Sequence, residues 1–126
     1  DTYGHQQGDI VLKEVARVLR ESTREIDEPA RYGGEELAVV LPHTDLEGAY
    51  QLAERVRSGI EALDLSLLDG MGSIQVTASL GVATLPGSAD DRRSLFQAAD
   101  DALYRAKRAG KNRTERAERS PRLQGG

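Results

Sequence analysis

Apolar positions along the chain change period several times. Val11, Val15, Val18 and Leu19 recur at helical spacing within residues 9–24, with Arg17, Arg20 and Arg24 off that stripe, which predicts an amphipathic helix. A short strand is expected over Pro29–Tyr32, followed by a turn at Gly33-Gly34. The unbroken run Leu37-Ala38-Val39-Val40-Leu41 predicts a strand buried on both faces, ended by Pro42. Thr44-Asp45-Leu46-Glu47 reads as a capping box. The helix it opens carries Leu46, Ala49, Ala53, Val56, Ile60 and Leu63 on one face. After a turn at Asp69-Gly70-Met71-Gly72, Ile74, Val76, Ala78, Leu80 and Val82 alternate with Gln75, Thr77, Ser79 and Gly81, the pattern of a strand with one buried face. Pro86-Gly87-Ser88 breaks it. A last helix is expected from about Asp91 to Ala109, with Leu95, Ala99, Ala102, Leu103 and Ala106 inward and Gly110 as its stop. Asn112–Ala117 suits a final edge strand. The order predicts an α+β domain over residues 1–117: a central, mostly antiparallel sheet with helices packed on it. Residues 118–126 are polar and are expected to be a disordered tail.

Composition narrows this picture. A chain of 126 residues makes one domain with a modest core, and 38% hydrophobic with 30% charged residues suits a soluble globular one. With no cysteine, disulfides and thiolate metal sites are excluded. No apolar run is long enough to span a membrane, and the N-terminus is not a signal peptide. A net charge of -4 argues against a general DNA or RNA binder but not against one nucleotide in a local site. The chain opens without methionine in the turn-like sequence Asp1-Thr2-Tyr3-Gly4-His5, and is read as a piece of a longer protein.

The candidate chemistry centres on Gly33-Gly34-Glu35-Glu36-Leu37. Glycine lets a backbone approach a phosphate with no Cβ in the way. Paired carboxylates can hold a hard divalent cation. A plain hairpin turn with solvated glutamates remains the simpler reading of these five residues alone. Successive strand residues point to opposite faces, so metal binding by both Glu35 and Glu36 would need a kink, which the glycines permit.

This segment resembles the signature of the GGDEF domain, the diguanylate cyclase family. Arg31-Tyr32 precedes the glycines as the family pattern has it, and three more segments agree in order. They are Asp1–Asp9, Ala78-Ser79-Leu80-Gly81-Val82-Ala83, and Ala98–Lys107 followed by Gly110-Lys111-Asn112. The resemblance implies a nucleotide-cyclase or ferredoxin-like fold. It implies an enzyme that joins two GTP into cyclic di-GMP and releases two pyrophosphates, with Mg²⁺ or Mn²⁺ as cofactor and a head-to-head homodimer as the catalytic form.

By the same resemblance Glu35 and Glu36 are the catalytic and metal-binding carboxylates, and Gly33 and Gly34 reach the phosphates. Asp9 accepts from the guanine edge, and Lys107 and Lys111 contact the triphosphate. Read alone, Asp9 is a helix N-cap, and the lysines are favourable charge at a helix C-terminus. Lys111 stands where the family often has arginine, and binds phosphate as a point charge. Arg24 and Asp27, in Arg-x-x-Asp spacing, with Arg55, match the family's product-binding inhibitory site. Their plainer reading is a local ion pair. No chemistry is assigned to His5, a residue of the turn, or to His43, expected to be simply exposed.

Leu37 replaces the usual phenylalanine and is expected to be buried. The family's opening helix and first strand precede Asp1, as do an aspartate that shares the metal and a guanine-binding asparagine. Residues 1–126 alone are therefore expected to be inactive. The alternative reading is a degenerate module that senses GTP or cyclic di-GMP. The intact Glu35-Glu36 pair favours the enzyme, and coexistence of Arg24, Asp27 and the signature speaks against a purely structural dimerisation domain. An upstream sensor or receiver domain and a cytoplasmic location, where GTP is, follow from the same resemblance; membrane anchoring of the parent is left open.

Overall fold

The computed structural model describes residues 2–31, 37–66, 70 and 72–118, and the side chains of all of these except residues 2–6, 30 and 31. Among the described residues three helices and six short strands run in the order α1 (Thr2–Ser22), β1 (Glu28–Arg31), β2 (Leu37–Val40), α2 (Leu46–Glu61), β3 (Leu65–Ser66), β4 (Ser73–Ile74), β5 (Leu80–Val82), α3 (Arg92–Arg108), β6 (Thr114–Arg116). β1 pairs with β2 and β3 with β4, both antiparallel, while β5 and β6 are parallel. Parallel neighbours need a long crossover, which here is α3.

The core forms where the helix stripes meet. Val18 of α1 packs with Val56 and Ile60 of α2, and Val15, Leu19, Leu52, Leu63, Val76, Ala78 and Leu80 close around them. α2 and α3 both pack on β5 and β6. α3 approaches closely because it presents Ala102 and Ala106, both fully buried, to the sheet. Opposite them stands Gly81, where an added Cβ would run into the backbone of Ala99 and Leu103. β6 is fastened to α2 by Arg116, whose guanidinium pairs with Glu47 at 2.7 and 3.1 Å and stacks 3.6 Å from the centroid of the Tyr50 ring.

Several sequence expectations are corrected. The first helix starts at Thr2 and ends at Ser22, so Thr2–His5 is helical and not a turn, and Asp9 is not an N-cap. Nothing between Thr2 and Asp9 breaks a helix outright: Gly4 and Gly8 each weaken it by about 1 kcal/mol, which packing on α2 offsets. Arg24 accordingly lies beyond the helix. Asp45, not Thr44, caps α2, accepting from the Gly48 N–H at 2.7 Å, and Glu47 turns to Arg116 instead of closing a box. β2 is not buried on both faces, and Leu37 is 47% exposed. Among the described residues β2 pairs only with β1. The long strand expected over 74–82 is two short ones, β4 and β5. Residues 75–77 keep the predicted alternation of exposure, but among the described residues no strand pairs with 75–79. β3 was not foreseen. The final strand and the helix from Asp91 to Ala109 match expectation, the latter with Asp91 and Ser94 in a reciprocal capping box. Asp69 and Met71 of the predicted turn, and residues 119–126 of the predicted tail, lie outside the described residues.

Candidate functional site

The turn from α1 into β1 is built by two residues three apart. The Arg24 N–H donates to Asp27 Oδ2 at 2.7 Å, and the Asp27 N–H donates to the Arg24 carbonyl at 3.0 Å. Across this closed turn the guanidinium donates from Nη2 and Nε to Asp27 Oδ1 at 2.7 and 3.1 Å. Nη2 also reaches the Pro42 carbonyl at 2.9 Å and Thr44 Oγ1 at 2.8 Å. Arg24 thus ties the α1–β1 turn to the β2–α2 loop. The Asp27 side chain is 0% exposed and that of Arg24 48%, so the acid is structural ballast and the base faces outward. The guanidinium holds the Asp27 carboxyl below its ordinary value against the opposing push of burial.

Beside this pair an open cleft of about 740 Å³ is lined by Arg24, His43, Thr44, Asp45, Leu52 and Arg55, among others. Arg55, exposed on α2, brings a second guanidinium to it. His43 adopts a left-handed backbone (φ 55) at the strand end and lines the same cleft. Sequence reasoning set His43 aside as merely exposed and gave Thr44 to a cap. The available signal was their place in the loop after Pro42, which leads to the helix bearing Arg55. Two arginines and an imidazole can pair with phosphate and stack on a base.

The other predicted residues fall elsewhere. Lys107 lies exposed in the last turn of α3 beside Arg105 and Arg108. Lys111 follows in a turn whose three residues, Gly110, Lys111 and Asn112, all have positive φ. Asp9 is exposed about two turns into α1. The β1–β2 register ends at Arg31 opposite Leu37, so residues 32–36 connect the hairpin. Gly33, Gly34, Glu35 and Glu36 themselves lie outside the described residues, as does the side chain of His5. Among the described residues no cluster of three or more His, Asp or Glu could hold a metal ion.

A family model described as diguanylate cyclase, GGDEF domain, matches residues 1–113. The chain belongs to the GGDEF family. This GGDEF domain is 44% identical over 113 residues to diguanylate cyclase A of Treponema denticola, covering 90% of this chain and 30% of that protein. It is 41% identical over 112 residues to the response regulator PleD of Caulobacter vibrioides, covering 89% of this chain and 25% of that one. It therefore spans about a third or less of these relatives. Among solved structures it superposes on the GGDEF domain of DgcB from Caulobacter crescentus in complex with c-di-GMP, with TM-score 0.82 and 33% identity over 92% of this chain and 68% of that one. The active GGEEF domain of a diguanylate cyclase from Vibrio cholerae gives TM-score 0.77 and 31% identity, covering 95% and 74%. These neighbours bear out the α+β cyclase fold for the GGDEF domain described above.

Proposed function

We propose that this GGDEF domain is the catalytic part of a diguanylate cyclase that condenses two GTP into cyclic di-GMP. The observation that supports it most is the Gly-Gly-Glu-Glu segment between β1 and β2 within a family match over residues 1–113. The reaction needs two identical steps. The 3′-hydroxyl oxygen of one GTP attacks the α-phosphorus of the other, a new P–O bond forms, and the bond to pyrophosphate breaks. The hydroxyl proton is released and pyrophosphate leaves. A head-to-head homodimer, each copy holding one GTP, lets the step occur in both directions.

Positioning and charge neutralisation carry most of such a transfer. The carboxylates of Glu35 and Glu36 are hard donors that suit Mg²⁺ or Mn²⁺, which would supply charge neutralisation at the phosphates and acidify the attacking hydroxyl. Gly33 and Gly34 let backbone N–H groups approach the phosphates. Lys107 and Lys111 add positive charge to the triphosphate, and Asp9 accepts from the guanine edge. With GTP as substrate the domain works in the cytoplasm, downstream of a sensor or receiver domain. No helix of the described residues is long and apolar enough to cross a membrane.

The arginine cleft supports a second element of this reading, inhibition by the product. Arg55 offers a guanidinium fork and Arg24 its Nη1 donor, on the side away from Asp27, for the two phosphates of cyclic di-GMP. Asp27 serves it by aiming Arg24, since its own carboxylate is covered and a guanine contact would require the pair to open.

The full-length protein incubated with GTP and Mg²⁺ is expected to yield one cyclic di-GMP per two pyrophosphates, with Glu36→Gln abolishing turnover. GTP or cyclic di-GMP binding without turnover by the wild type would instead establish the sensor reading.

A further inference from the structure

The turn that leaves α3 is held from two sides, and its geometry concerns the residue at its apex. We infer that Asn112 is a positioning residue that fixes Lys111 for the nucleotide phosphates, an inference that rests on the proposed role of Lys111. Gly110, Lys111 and Asn112 have φ of 127, 63 and 48. Only the first lacks a Cβ. The left-handed region costs an ordinary residue about 1 kcal/mol, and asparagine bears it better than lysine. Two such residues in succession persist only where the surroundings over-determine them.

Those surroundings are specific. The Asn112 N–H donates to Ser79 Oγ at 3.2 Å, just before β5. Its side-chain oxygen accepts from Arg57 Nη1 at 3.0 Å, and its side-chain nitrogen donates to Glu61 Oε2 at 2.6 Å. Arg57 and Glu61 lie one turn apart on α2, so a donor and an acceptor face the two ends of one amide, and only one orientation of that amide satisfies both. Arg57 cannot swing away, because Nε and Nη2 are bound to Glu54 at 2.8 and 3.1 Å. On the other side of the apex, the Lys111 N–H donates to the Ala106 carbonyl at 2.9 Å. The backbone of Lys111 is thereby pinned to α3 before it and to α2 after it. A flexible lysine stem gains most from a fixed root, because the remaining freedom is in the side chain alone.

The test uses the full-length protein and a GTP analogue with a non-hydrolysable α,β linkage, measured by calorimetry beside steady-state kinetics. Asn112→Gly tolerates positive φ yet deletes the clamp. It is expected to weaken analogue binding and raise KM by about tenfold while kcat stays within about twofold. Lys111→Ala weakens binding too, and the double variant binds no worse than Lys111→Ala alone. Wild-type affinity in Asn112→Gly, a loss fully additive with that of Lys111→Ala, or a fall in kcat matching the rise in KM overturns the inference. If Asn112→Gly does not fold, Glu61→Ala, which removes the acceptor without altering the turn, carries the same criteria. Wild-type affinity in Lys111→Ala would overturn the reading of Lys111 itself, and the inference with it. A weakened Lys111→Ala beside an unaffected Asn112→Gly would overturn the inference alone.

Discussion

Asp27 keeps its charge inside the protein because Arg24 supplies both a guanidinium and a backbone N–H to it. Its folded-state pKa is lowered from the ordinary 3.8, chiefly by the side-chain hydrogen bond from Arg24. A depressed carboxylate contributes stability that is complete above the unfolded value and is lost as pH falls through the folded one. Asp27→Asn is therefore expected to be less stable than wild type at pH 7 in urea unfolding, with the difference shrinking below pH 3.8. A difference that is constant with pH would show that the charge does no work there. At the same scale, Arg24→Ala should weaken cyclic di-GMP binding in calorimetry by about tenfold, the cost of one charge-assisted hydrogen bond. Equal affinity would remove the cleft from the inhibitory role. The Arg24–Asp27 spacing was legible in the chain. The anchoring of Arg24 on Pro42 and Thr44, 18 and 20 residues away, was not, because nothing local encodes which loop a side chain will meet.

Elements were predicted best where they carry their own ends. α3 has a capping box at Asp91, a basic last turn and a glycine stop, and its boundaries agree with the sequence reading. The strands have no such self-contained marks. A period-2 pattern states that a segment can be a strand, while a ladder requires a partner at hydrogen-bonding distance. Hence residues 75–77 alternate in exposure without a paired strand among the described residues, and the two-residue β3 has no pattern long enough to read. Two substitutions test the packing at this scale. Gly81→Ala would drive a Cβ into the α3 backbone and should destabilise the domain by about 3 kcal/mol in chemical unfolding. A wild-type unfolding midpoint would mean that α3 can shift outward at little cost. Ile60→Ala, at the α1–α2 contact, should lose about 3 kcal/mol by leaving a cavity, without altering the m-value.

The whole molecule joins two regions through one helix. α2 presents Arg55 to the arginine cleft, and its Arg57 and Glu61 hold the turn that bears Lys111. A ligand that binds only the folded state raises its stability by an amount set by mass action. Cyclic di-GMP at one hundred times its dissociation constant should therefore stabilise the full-length protein by about 2.7 kcal/mol, seen as a higher Tm. Arg24→Ala should lose this gain when both proteins are titrated at the same cyclic di-GMP concentration. An undiminished gain would place the ligand elsewhere, such as at the substrate residues.

The sequence by itself determined the family, the three helices, the hairpin that carries Gly33–Glu36 and the identity of the charged residues. These depend on local period, on caps and on motif order, which a chain expresses without knowing its neighbours. Tertiary structure alone decided that Thr44 and His43 join Arg24 and Arg55 in one cleft, that Asp27 is sealed under Arg24, and that Asn112 bridges to α2. The cleft and the bridge depend on residues up to 55 positions apart meeting in space, and such meetings are set by how helices seat on strands. The close seating of α3 over Gly81, allowed by Ala102 and Ala106, illustrates that reason in its simplest form.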